Sequence, residues 1–117
     1  ERVTAIFERI SSGEIAAVTS VITLTEVLTL PVRAGDERVA GEYRDLLLHS
    51  EHLNTMPVDA AIAERAAELR ARYQLRTPDA LQIATALQAG CQAILTNDHR
   101  LQRVAELDVL VLNDLVL

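Results

Sequence analysis

The stretch Thr77–Asp98, TPDALQIATALQAGCQAILTND, reads as an apolar helix that turns at Gly90 into an apolar strand, with an acid near each outer end. A helix from Pro78 to Ala89 advances about 18 Å at 1.5 Å per residue. Gln92 to Asn97, if extended, returns about 20 Å at roughly 3.3 Å per residue. The two lengths nearly cancel, so Asp79 and Asp98 are expected to meet. Two ionised carboxylates 4 Å apart repel by about 4 kcal/mol at an effective dielectric of 20. A shared proton or a bound cation is the expected compensation.

The same alternation extends outward in both directions. Residues 1 to 12 form a helix with Val3, Ile6, Phe7 and Ile10 on one face, stopped near Gly13. EIAAVTS follows as a short buried strand. Ser20 caps a helix through VITLTEVLTL, which Pro31 is expected to close, and Asp36 caps the next, with Val39, Tyr43, Leu46 and Leu47 as its apolar stripe. LNTMPV reads as a strand, and Asp59 as the N-cap of AAIAERAAELRARY, where Ile62, Ala66, Leu69 and Tyr73 recur at helical spacing. Thr77 before Pro78 reads as the cap of the helix in the opening stretch. QAIL and VLVL are the last strands, with a short helix over Arg100 to Glu106 between them.

Short strands that are apolar on both faces, separated by helices, define an α/β fold: a parallel sheet covered on both sides. Its ligands bind beyond the carboxyl ends of the strands. Asp98 follows one strand end, Asp79 opens the helix that starts at that edge, and Glu26 lies in the helix directly after AAVT. Each acid has an ordinary structural role available. Glu26 suits a solvated helix face, Asp79 a helix dipole and Asp98 a turn. Their convergence on one edge, flanked by hydroxyls at Ser20, Thr77 and Thr96 and by the Asn97 amide, points instead to a hard divalent cation. Such a cation could activate water against a phosphodiester.

The 117 residues suit one domain, and the net charge of −6 argues against a protein that simply coats nucleic acid. All eleven basic residues are arginine, which removes any chemistry needing a lysine amine, including that of phosphoaspartate receivers. Arg70, Arg72 and Arg76 approach the Asp79 edge and are available to phosphates, although a helix end also favours them. His49 and His52 lack partners for a zinc site. No glycine loop for a nucleotide exists among glycines at 13, 35, 41 and 90. No apolar run is long enough to span a bilayer, ERVTAIFERI alternates like an amphipathic helix rather than a basic leader, and the lone Cys91 fits a reducing, cytoplasmic setting.

Taken in order, SVITLTEVL, TPDALQIATAL and ILTNDHRL resemble the PIN domain family, most closely its VapC-like ribonuclease toxins, over essentially the whole chain. The resemblance implies a three-layer α/β/α sandwich. It also implies that Glu26, Asp79 and Asp98 match the family's second, third and fourth acidic positions, which bind magnesium or manganese for RNA cleavage. A VapB-like antitoxin and a homodimer are the implied partners. The family's first strand, central in its sheet and ending in the first metal-binding aspartate, has no counterpart in this sequence. A segment of about 20 to 30 residues before Glu1 is therefore expected. The alternative is a PIN-like interaction module without catalysis. On the nuclease reading, an Asp98→Asn change is expected to remove activity and to leave the thermal midpoint nearly unchanged or raised, through relief of repulsion.

Overall fold

The computed structural model describes residues 2 to 115; the readings at Glu1 lie outside them. In chain order the elements are α1 (Arg2–Ser11), β1 (Ala17–Ser20), α2 (Val21–Arg33), α3 (Glu37–His49), β2 (Leu53–Met56), α4 (Ala60–Tyr73), α5 (Thr77–Gln88), β3 (Ala93–Thr96) and β4 (Asp108–Val111). A 3-10 helix over His99–Arg103 joins the last two strands. It stands where a short helix over Arg100 to Glu106 was expected.

Three helices start as their sequences predict. Ser20 accepts from the Ile22 amide at 3.1 Å, Asp36 from Val39 at 3.1 Å and Asp59 from Ile62 at 2.9 Å. Each side chain satisfies one of the amides that a helix's first turn leaves without an internal partner. Two boundaries differ. α2 runs past Pro31 to Arg33, because proline forfeits only one amide bond and the last turn is closed by Ala34 donating to Leu30 and Asp36 to Pro31. α5 has Arg76, not Thr77, at its N-cap. The Arg76 side chain reaches Asp79 rather than a backbone amide, and Thr77 is an exposed first helical residue.

All described strand pairing is parallel. β1 pairs with β2, Ser20 opposite Met56, and β3 with β4, Thr96 opposite Val111. In place of one continuous sheet, the described residues form two two-stranded sheets, and α5 packs against both β1 and β3. Its Ala80, Ile83 and Ala84 are fully buried with Ile62, Ala66 and Leu69 of α4, Leu101 and Val104. Small residues on α5 let α4 approach closely, which explains why so alanine-rich a helix is the centre of the core.

Burial is one-sided elsewhere. Ile94 and Val109 turn toward the core, whereas Leu95 and Leu110, opposite one another in register, remain 43 % exposed each. On α3 the buried residues are Ala40 and Leu47, while Tyr43 and Leu46 of the expected stripe are exposed. The helix is rotated from the orientation its largest side chains suggest.

A polar tie joins the two halves. Buried Ser20 donates to Gln82 Oε1 at 3.0 Å, Gln82 Nε2 donates to Thr23 at 2.7 Å, and Thr23 shares a 2.8 Å bond with Thr19. Ser20 thus caps α2 and fixes α5 with one hydroxyl. Ser20→Ala is expected to lower stability by about 1–2 kcal/mol, since a cap is lost and a partly buried amide oxygen loses its donor. Urea titration checks this, and a loss below a few tenths of a kcal/mol would show that water replaces the hydroxyl.

Candidate metal centre

Asp79 occupies the first turn of α5, with its side chain 23 % exposed. Asp98 lies two residues past the end of β3 and caps the following 3-10 helix, its side chain 26 % exposed. Both line one shallow cleft of about 70 Å³, together with Gln74, Leu75, Arg76, Arg100, Leu101 and Arg103. The helix-and-strand return predicted from the lengths places both residues on this one cleft.

Arginine pairs with both carboxylates. Arg76 Nε donates to Asp79 Oδ2 at 3.2 Å. Arg100 engages Asp98 more fully, with Nε at 3.0 and 3.2 Å from the two oxygens and Nη2 at 2.8 Å from Oδ2. The Arg100 amide adds a 2.9 Å bond to Oδ1. These hydrogen bonds, the guanidinium's first, hold the Asp98 carboxyl down at about 2, against an ordinary 3.8. Arg76 also acts on Asp98 through space, and Asp79 on Arg100. The four charges form one alternating cluster.

Because the Asp98 pKa is lowered on folding, its contribution to stability is complete above 3.8 and is lost as pH falls toward about 2. The thermal-midpoint difference between the parent and Arg100→Gln is accordingly expected to be constant from neutral pH to the ordinary carboxylate range. It then closes between 3.8 and about 2. A difference that changes near neutrality would contradict this assignment.

The cleft wall is built by the other arginines. Gln74 ends α4 in the left-handed conformation, φ 55°. Arg70 holds that turn by donating to the Leu75 carbonyl at 3.0 Å. Arg103 donates to the Tyr73 carbonyl at 2.7 and 3.2 Å. Glu106 pairs with Arg72 and accepts from the Tyr73 hydroxyl at 2.5 Å, which lowers its carboxyl pKa. Arg70 and Arg72 are thus engaged in structure, and only Arg76 of the three predicted arginines borders the cleft. The roles of Arg100 and Arg103 could have been sought in NDHRLQR, which places arginines two and five residues past Asp98.

Glu26 is exposed on α2 and does not line the cleft. It stands one turn beyond Thr23, while Asp79 stands one turn before Gln82, the residue that Thr23 meets. Among the described residues no group of three or more carboxylate, histidine or cysteine side chains is drawn together tightly enough to hold a metal. Ser20 is spent on the polar tie, Thr96 accepts from the Asp98 amide at 3.1 Å, and Asn97 and Thr77 are exposed. The pair nevertheless fits a hard cation. Its donors are all oxygen, cations already sit on both carboxylates, and the cleft has room for an ion with waters, one water needing about 10–15 Å³.

A parallel α/β fold with two carboxylates lining a cleft beyond a strand end is the arrangement of ligand-binding open-sheet proteins. A PIN domain profile matches residues 1–107, and the chain belongs to the PIN domain family. Among solved structures it is similar to a toxin-antitoxin complex from Klebsiella pneumoniae, at 26 % identity and TM-score 0.64, over 80 % of this chain and 71 % of that one. It also shares its fold with VapBC2 from Rickettsia felis bound to a DNA fragment from the promoter. There the identity is 18 % and the TM-score 0.62, over 79 % of this chain and 71 % of that one. No curated protein matches. No described helix is long and apolar enough to cross a membrane.

Proposed function

We propose that this protein is a cytoplasmic, metal-dependent endoribonuclease, the toxin of a VapBC-type pair, inhibited by a VapB-like antitoxin and acting as a homodimer. One observation carries the reading. Asp79 and Asp98, from different elements, line one cleft together with Arg76, Arg100 and Arg103. Family membership and the similarity to a toxin-antitoxin complex support it.

In this reading Asp79 and Asp98 would hold a magnesium or manganese ion, and Glu26, which does not line the cleft in this structure, would contribute only from outside it. When bound, that ion supplies activation of water and neutralisation of charge on the phosphate. The chain's own part is positioning. α5 presents Asp79 from a buried helix, the 3-10 helix fixes the Asp98 backbone, and Arg103 anchors the cleft floor to α4. The two separate sheets, both contacting α5, support a further strand between β1 and β3 as part of the complete domain.

The test is cleavage of RNA by the purified protein, lengthened by any preceding segment its gene encodes. Cleavage is expected with Mg²⁺ or Mn²⁺ and not with EDTA. The interaction-module reading is favoured by the lack of a tight three-acid group among the described residues. It requires that neither metal change the melting transition and that no RNA be cut.

A further inference from the structure

The arginines at the cleft raise a question of occupancy. Arg100 directs three N–H donors at Asp98, its backbone amide to Oδ1, its Nε shared between both oxygens and its Nη2 to Oδ2, so that each oxygen accepts from it twice. A cation cannot take both Asp98 oxygens while that guanidinium remains. Arg76 holds Asp79 by one bond only. Both arginine side chains are 72 % exposed, so neither is locked by packing, and both are free to swing on their stems. Arg103 borders the same cleft but is committed, donating to the Tyr73 and Arg100 carbonyls.

We propose that Arg76 and Arg100 are exchangeable occupants of the two carboxylates: they pair with Asp79 and Asp98 as this structure shows and, where a divalent ion displaces them, turn to bind phosphate oxygens of the substrate strand. The inference rests on the metal reading above and adds to it the residues that receive the phosphate. Its logic is charge conservation at the cleft. Guanidinium and dication compete for the same oxygens, so the site takes metal at the expense of two ion pairs. The released forks match the bidentate geometry of a phosphodiester. Metal loading and strand binding thereby become coupled, each favouring the other, as linkage requires.

The test uses Mn²⁺ titration read by electron paramagnetic resonance, with anisotropy of a fluorescent 2′-O-methyl oligoribonucleotide that resists cleavage. Exposed ion pairs are each worth a factor of roughly one to five. The Arg76→Gln, Arg100→Gln double variant is therefore expected to bind Mn²⁺ about three- to tenfold more tightly than the parent. Arg103→Gln, with a charge lost from the same cleft, is expected to change Mn²⁺ affinity by less than about twofold. With Mn²⁺ saturating, the double variant is expected to bind the oligonucleotide about tenfold more weakly than the parent, because two phosphate contacts are gone. Circular dichroism of each variant establishes that it folds. The exchange is overturned if the double variant binds Mn²⁺ no more tightly than Arg103→Gln, or holds the oligonucleotide as well as the parent does. Asp98→Asn separates the layers. If it loses Mn²⁺ while the arginine variants behave as the parent, only the exchange fails. If the parent binds no Mn²⁺, or Asp98→Asn binds it equally well, the metal reading fails and the exchange with it.

Discussion

Asp98→Asn is expected to abolish RNA cleavage and to weaken divalent-metal binding by at least about a hundredfold, since even outer-shell partners of a metal site cost ten- to a hundredfold. The amide is nearly isosteric, so what changes is charge and one acceptor. Asn retains an oxygen that can accept from the Arg100 amide, but it cannot accept the full guanidinium fork that Asp98 receives. The sequence alone suggests that removing a repelling carboxylate leaves stability unchanged or raised. The structure reverses that sign. Asp98 is held well below its ordinary pKa by Arg100, so its charge is stabilising. A small fall in thermal midpoint is expected. Gel-resolved cleavage and calorimetry check both halves, and undiminished cleavage by the variant would remove Asp98 from the site.

The second large effect belongs to Ile83→Ala. Ile83 is fully buried at the centre of the cluster formed by α4, α5 and the segment around Leu101. Removing three carbons there costs about 2–5 kcal/mol, the transfer term plus the cavity. Domains of this size hold only about 5–15 kcal/mol in total. The consequence reaches the cleft, because α5 carries Asp79 at its first turn and Gln82 in the tie to Ser20. The variant is expected to unfold at markedly lower urea concentration and to lose metal affinity as it does. A loss below about 1 kcal/mol would mean that α5 is not the core helix described here.

Local rules carried the helices. Ser20, Asp36 and Asp59 cap because a short side-chain oxygen next to free amides is a matter of a few bonds, visible without the fold. The Ile62, Ala66 and Leu69 stripe of α4 is buried as its spacing predicts. α3 was less legible. Its apolar residues spread too widely to fix a face, and tertiary packing chose Ala40 and Leu47 over Tyr43 and Leu46. Asp79 and Asp98 were brought together by matching the rise of a helix to that of a strand, which needs no side-chain detail. The guanidinium partners are not legible in the sequence, because where a long, exposed arginine rests depends on charges from other elements. Glu26 was placed at the edge by its element alone, and its distance from the cleft depends on how far along α2 it lies.

The proposed divalent-metal site consists of Asp79 and Asp98, each paired with an arginine in this structure. The most direct measurement is the anomalous difference density of crystals grown with Mn²⁺. The account predicts one strong peak with an oxygen of Asp79 and an oxygen of Asp98 each roughly 2 Å away, and with Arg100 swung off its carboxylate. Well-ordered crystals with no peak between these carboxylates, or with manganese bound elsewhere while both ion pairs persist, would contradict it.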